Sequence, residues 1–277
     1  MNDETERSHA RRALALRNAL DAAVTAIEAA GCSTPRLDAE LLIADALGVD
    51  RAKLFMDPEM EIPPAAARVI GTNVRRRVAR EPVAYILGRK GFRHIELAID
   101  RRAIIPRPET ELLVDVASEQ PAGARVHDVG TGAGSIALAL LDERPDLNVT
   151  ASEPYAPAAE VARENAARLG LPLEVTDEFG LPDGEYDLIV ANLPYVRDGD
   201  WDGMQPEIRG YEPREAFVSG ADGLDAIREL IAAAPSGTQI ALEHGNQQGE
   251  AVRELLDDPR SYPDLANWER ITVGRVP

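Results

Sequence analysis

From Arg125 onward, short apolar runs alternate with stretches of helical spacing. That alternation limits the fold more than any other feature, because strands joined by helical crossovers build a mainly parallel sheet. Residues 125–129, 147–152, 173–176, 186–191, 239–243 and 269–273 read as strands, and 134–143, 156–169, 222–233 and 251–256 as helices. The run Asp187-Leu188-Ile189-Val190-Ala191 is apolar after its first residue, as a strand buried on both faces must be. A doubly wound α/β domain is predicted.

The first eighty residues carry a different pattern. Residues 8–30 and 38–47 have helical spacing and end at Gly31 and Gly48, residues suited to stop a helix. Pro64 suits the first turn of a further helix over 65–79, which Glu81-Pro82 ends. In 85–105, Ile95, Leu97 and Ile99 alternate with polar neighbours, the signal of a strand. The chain therefore divides into a helical bundle (1–84), a β-hairpin linker (85–105) and the α/β domain (106–277).

Composition narrows the function. No apolar run approaches the roughly 18 residues of a membrane span, and the acidic start Met1-Asn2-Asp3-Glu4 lacks the apolar stretch of a signal peptide. The single cysteine, Cys32, excludes an intrachain disulfide framework and a cysteine-based metal cluster, so a cytoplasmic, metal-free protein is expected. The net charge of −18 is uneven: residues 1–87 hold 12 Lys+Arg against 13 Asp+Glu, and the remainder 18 against 35. Such acidity disfavours nonspecific nucleic-acid binding, and with no apolar run to span one, no membrane partner is expected. The dense basic run Arg75-Arg76-Arg77 with Arg80 reads as a solvated helix face or as a docking patch for an acidic or ribosome-bound partner.

Two strand ends carry chemistry. Asp128-Val129-Gly130-Thr131-Gly132-Ala133-Gly134 joins the first strand of the α/β region to its helix. A dinucleotide fingerprint needs glycine at the sixth position of such a loop, where Ser135 stands, and the Gly-Lys-Ser/Thr ending of a phosphate loop is absent. Gly-x-Gly-x-Gly is the form carried by enzymes that use S-adenosylmethionine. Glu153, past the next strand, is placed to grip two ribose hydroxyls, and Asp177 or its neighbour Glu178 to meet the adenine amine. The second strand end is Asn192-Leu193-Pro194-Tyr195. Asn192 offers an acceptor oxygen, Pro194 biases the Leu193 backbone to extended and so offers its carbonyl, and Tyr195 offers a flat ring. That set suits a planar NH2, on an amide or an adenine; a simple strand-ending turn is the plain alternative.

Taken together, these segments resemble the protein-(glutamine-N5) methyltransferases of peptide chain release factors. The resemblance covers nearly the whole chain: Leu37–Leu42 in the helical region, residues 81–88, Ile105-Pro106-Arg107-Pro108-Glu109-Thr110-Glu111, the glycine loop, Asn192–Tyr195, Tyr211-Glu212-Pro213-Arg214 and 220–225. It implies a Rossmann-like, class I S-adenosylmethionine-dependent methyltransferase domain behind a substrate-recognising helical bundle. It also implies that Asp128, Gly130, Thr131, Gly132, Gly134, Glu153, Asp177 and Asn192 hold the cofactor. Arg107, Glu109 and Thr110 would line the substrate pocket, and Asn192, Leu193, Pro194 and Tyr195 would bind the glutamine amide of a Gly-Gly-Gln loop. The chain departs from the family pattern at Leu193, usually Pro, at Glu153, usually Asp, and at His127, a strand position usually apolar. Asn-Leu-Pro-Tyr is also the form of methyltransferases that modify adenine in ribosomal RNA, so an adenine-N6 methyltransferase acting on RNA or DNA is the alternative. A module that binds S-adenosylmethionine without turnover is a third reading.

Overall fold

A computed structural model describes residues 2–57, 60–181 and 184–277. The chain forms two compact units, one ending at Gly88 and one running from Arg89 to Pro277.

The first unit is all helix: α1 (Asn2–Ala29), α2 (Pro35–Leu47), α3 (Arg51–Met56), α4 (Pro64–Val78) and α5 (Val83–Leu87). Proline opens α2 and α4 at the first turn, where its missing N–H costs nothing, and Gly48 closes α2 in the left-handed conformation. Ile27, Leu42, Ile43, Leu54, Ile70 and Ile86 pack in its core. The basic run is only partly a solvated face: Arg75 is exposed, while its neighbours turn to partners within the unit. Arg77 is buried and donates from Nε to Asp38 Oδ2 at 2.7 Å. Arg76 grips both oxygens of Glu81 at 2.8 and 2.9 Å, and Arg80 reaches the Ala30 carbonyl. The charges hold α4 to α2 and to the turn before α5.

The second unit opens with a hairpin, β1 (Arg89–Phe92) and β2 (Ile95–Ala98), paired antiparallel. The hairpin is narrower than 85–105, because Tyr85–Leu87 is drawn into α5 and Gly88 ends that helix. Nor is it a free linker. Phe92, Ile95 and Leu97 sit in the main core of the second unit, and the buried Asn165 amide bridges the Ala98 backbone to the Ala133 carbonyl of the glycine loop.

There follow α6 (Glu111–Ser118), β3 (Arg125–Val129), α7 (Ser135–Glu143), β4 (Asn148–Ser152), α8 (Ala156–Leu169), β5 (Glu174–Thr176), β6 (Leu188–Ala191), α9 (Pro206–Tyr211), α10 (Asp225–Ala233), β7 (Gln239–Glu243), α11 (Gly249–Arg253), β8 (Asp257–Pro263) and β9 (Glu269–Arg275). The sheet order is β5-β4-β3-β6-β7-β9-β8, parallel through β7 and antiparallel beyond it. Side chains of β6 alternate between two cores, Leu188 and Val190 into one and Ile189 and Ala191 into the other, so both sheet faces are covered. Polar, proline-bearing β8 carries little strand signal, yet an edge strand tolerates both features.

Strand order reverses between β3 and β6, and ligands of such sheets bind at that switch point. The registers define what meets there. Thr176 pairs with Ser152, Ser152 with Val129, Val129 with Ala191, and Ala191 with Leu242. The next residues along each strand, Asp177, Glu153, Gly130, Asn192 and Glu243, therefore follow one another across the top of the sheet.

Candidate active site

A cavity of about 320 Å³ opens over this row. Gly130, Gly132, Glu153, Asn192, Leu193 and Pro194 line its floor, and Phe179, Pro213, Ala216 and Val218 supply apolar walls. A smaller hollow beside it is bounded by Arg107, Thr110, Thr131, Gly132 and Asn192. Of the charged side chains on the larger cavity, Glu153, Glu215 and Glu229 are acids, and the one base, Arg102, is already bound to Asp100, Glu160 and Glu164. A lining of that sign suits a cationic ligand better than a phosphate.

Asp128 and Gly134 shape the glycine loop from behind. Asp128 is fully buried and accepts from the Thr131 hydroxyl at 2.6 Å and from the Ala137 N–H at 3.2 Å through Oδ2. Its Oδ1 is buried and without a hydrogen-bond partner among the described residues. Burial pushes the Asp128 carboxyl up to about 7. Gly130 has φ +72, and a side chain there would meet Leu193 Cδ2 at 3.0 Å. The unusual Leu193 is thus a core residue that caps the glycine loop; it packs with Ile189, Ala191 and Leu224.

Glu153 is held from both sides. Gly132 N–H donates to Oε2 and Tyr155 N–H to Oε1, each at 2.9 Å. Each oxygen keeps a second lone pair, the requirement for receiving a diol. Burial raises the Glu153 pKa. Asp177 does not join the cavity: it lies on the surface in a 2.7 Å ion pair with Arg163 of α8. It stands past the end of β5, the edge strand, two strands from the switch point. Glu178 is exposed and does not line the cavity either, whereas Phe179 does.

Asn192 donates from Nδ2 to the Thr110 hydroxyl at 2.9 Å, which leaves Oδ1 as its acceptor at the cavity. Tyr195 is propped by Gln248, which no motif marked, and by Gly223 of the 220–225 segment. Gln248 donates from Nε2 to the Tyr195 carbonyl at 3.0 Å, and Gly223, at φ +80, lies so close that a Cβ would stand 2.2 Å from the same oxygen. The Tyr195 hydroxyl reaches Glu243 Oε1 at 3.5 Å, and burial followed by the Glu243 charge keeps that hydroxyl protonated. Glu243 is itself 2% exposed, and burial pushes its carboxyl up to about 7. The stiff loop before α6 is tied to the Tyr-Glu-Pro segment: Glu212 accepts from Arg107 Nη2 at 2.6 Å and from the Ile105 N–H at 2.9 Å. Arg107 is engaged there, Glu109 is half-buried and acts on Glu243 and Tyr195 by charge, and Thr110 alone of the three bonds to the Asn192 end. His127 is buried between Thr150 and Ser152 at 2.8 and 3.1 Å, and burial lowers it to about 4; it is a neutral packing group.

Known proteins carry the same arrangement of segments. Residues 18–88 match the family described as the PrmC N-terminal domain, and 108–205 the methyltransferase small domain. A release factor glutamine methyltransferase of Xylella fastidiosa is 41% identical over 258 residues, 87% of this chain and 94% of that protein. The protein of that description from Cereibacter sphaeroides is 37% identical over 273 residues, 94% of this chain and 98% of its own. Among solved structures, the hMettl16 catalytic domain in complex with an MAT2A 3'UTR hairpin aligns with 64% of this chain and 73% of its own at a TM-score of 0.51 and 14% identity, a likeness of fold alone.

Proposed function

The chain belongs to the release factor glutamine methyltransferases, and from that footing we propose that it transfers a methyl group from S-adenosylmethionine to the side-chain amide nitrogen of a glutamine in a release factor's Gly-Gly-Gln loop. The observation that carries the reading is the Asn192 amide, whose donor end is taken by Thr110 so that its oxygen faces the cavity beside Gly130 and Glu153. An acceptor there fits a planar NH2.

The cofactor suits the lining. Glu153 keeps lone pairs for the ribose hydroxyls, Phe179 offers a flat wall for adenine, and the acidic rim suits a cation. When bound, S-adenosylmethionine supplies an electrophilic methyl on a positively charged sulfur. An amide nitrogen is a poor nucleophile, because its lone pair is shared with the carbonyl. Asn192 Oδ1 and the Leu193 carbonyl, accepting its two protons, favour the positive charge that develops on it. Tyr195 packs against the amide plane and helps fix the approach. The Leu193 side chain turns to the core, so its replacement of proline leaves the carbonyl available.

The helical unit binds the protein substrate in this reading, supported by its match to the PrmC N-terminal domain. Arg107 and Glu109 stabilise the pocket more than they line it, and Asp177 is not assigned to the cofactor. A cytoplasmic site of action agrees with a single cysteine, Cys32, which is buried. Adenine methylation is the weaker reading, because its support is Asn-Leu-Pro-Tyr by itself, and the net charge of −18 opposes a nucleic-acid partner.

Labelled S-adenosylmethionine offered with release factor and with RNA decides between them. Label on the glutamine is expected; label on RNA alone sinks the proposal. Asn192→Ala should lower turnover by about a hundredfold and leave cofactor affinity within about twofold, read by calorimetry. An equal loss of affinity would move Asn192 from the acceptor to the cofactor.

A further inference from the structure

His127, Thr150 and Ser152 are polar side chains set together on the adjacent strands β3 and β4, and His127 and Ser152 are fully buried. Polar groups so placed are costly unless their bonds are made, and the methyl-transfer reading gives them no contact with substrate or cofactor. Their hydrogen bonds run in one direction. Ser152 Oγ donates to the Gly180 carbonyl at 2.7 Å. A hydroxyl has one proton, so at its 3.1 Å contact with His127 Nε2 the serine accepts, and Nε2 carries the imidazole proton. Nδ1 of the neutral ring is then bare and accepts from the Thr150 hydroxyl at 2.8 Å. The chain of bonds ends in the segment between β5 and β6. Among the described residues, the bond from Ser152 to Gly180 is the one hydrogen bond made by the backbone of residues 178–181. Phe179, beside Gly180 in the chain, lines the cavity, and apolar packing is what else holds it and Leu181.

We propose that Ser152 is a positioning residue, oriented by His127, that fixes the Phe179 wall against which the adenine of S-adenosylmethionine lies. Apolar contact is non-directional and lets a loop slide; one directed bond to the carbonyl beside Phe179 pins the ring's height above the sheet. His127 decides where the serine proton points. With Nε2 as a donor, the imidazole cannot take that proton, and it stays on Gly180. The opposite tautomer would draw it to Nε2 and leave the buried Gly180 carbonyl without its bond, at a cost in free energy. Neither Ser152 nor His127 lines the cavity, so both act on the cofactor through Phe179.

This rests on the reading that sets adenine against Phe179, not on the identity of the methyl acceptor, and the test separates the two. Affinity for S-adenosylmethionine is measured by calorimetry, and kcat with a Gly-Gly-Gln release factor at saturating cofactor. Phe179→Ala should weaken cofactor binding by about tenfold, the loss of one stacked ring. Ser152→Ala should weaken it by about fivefold and add nothing in the Phe179→Ala background. His127→Val, which leaves Ser152 in place, should weaken it by about threefold. Ser152→Ala and His127→Val should each keep kcat within about twofold of the parent. Should Ser152→Ala not fold with the imidazole left unbonded, its combination with His127→Val decides by the same measurements. An indifferent Phe179→Ala or Ser152→Ala, losses that add, or a fall in kcat matching the fall in affinity overturns the proposal. A parent enzyme that binds the cofactor and leaves release factor unlabelled overturns the glutamine reading alone, since the affinities still decide this one.

Discussion

The helical unit pairs its buried acids with arginines, whereas the α/β unit does so at Glu212 and leaves two other acids short of partners. In the helical unit Asp38, Glu40 and Glu81 are each within 10% exposure, and each faces an arginine: Arg77, Arg36 and Arg76. In the α/β unit Asp128 and Glu243 are as deeply buried, yet each keeps one oxygen without a hydrogen-bond partner among the described residues. A paired acid cements helices. An acid buried without its full set of partners is a cost to folding, and such groups gather where chemistry needs them. Two of the segments that mark the family, around Leu37–Leu42 and Glu81, thus secure the scaffold, while those of the second unit build the site.

The largest effect should come from Asp38→Ala. It leaves Arg77 buried without its carboxylate and should cost about 3–5 kcal/mol, read as a shift of the urea midpoint, with cofactor affinity unmoved. A loss under about 1 kcal/mol would show that apolar packing, and not pairing, holds that unit. Asp128→Asn should do the reverse: cofactor affinity falls by about tenfold while stability at neutral pH holds or rises. The pH course gives the sign. Asp128 keeps its proton up to about 7 when folded but only to about 4 when unfolded. Its contribution is therefore full below pH 4 and is lost as pH rises through 7. Asp128→Asn should flatten that decline by about one proton in the ligand-free protein; an unchanged slope would refute the assignment. The smallest effect belongs to Asp177→Ala, which removes an exposed ion pair and should shift cofactor affinity by less than about twofold. A large loss would return Asp177 to the cofactor site.

Much of this was legible before any coordinates. Strand–helix alternation, the glycine loop and Asn192 are local patterns, and local patterns survive folding. The failures are lateral. Asp177 stands at a correct strand end, but only the sheet order shows that its strand lies at the edge, beside Arg163. The Arg75–Arg80 run looks like surface until Asp38, far off in sequence, closes on Arg77. Glu243 and Gln248 support the site from separate segments, and each alone is an ordinary residue. A usable signal existed: Glu243 ends its strand as Glu153 follows its own, and strand-end acids in a parallel sheet deserve to be read together.

The row across the sheet top also makes a prediction about lengths. Neighbouring strands are spaced about 4.8 Å apart, so the four intervals from Asp177 to Glu243 measure roughly 19 Å, and the sheet serves as a ruler. Its graduations survive exchange of one side chain for another. They do not survive an inserted or deleted residue inside β6, because a one-residue slip sends every following side chain to the opposite face. Asn192 would leave the cavity and Leu193 would leave its seat on Gly130 together. An exchange of side chain in this strand is therefore expected to cost the site less than any change in its length.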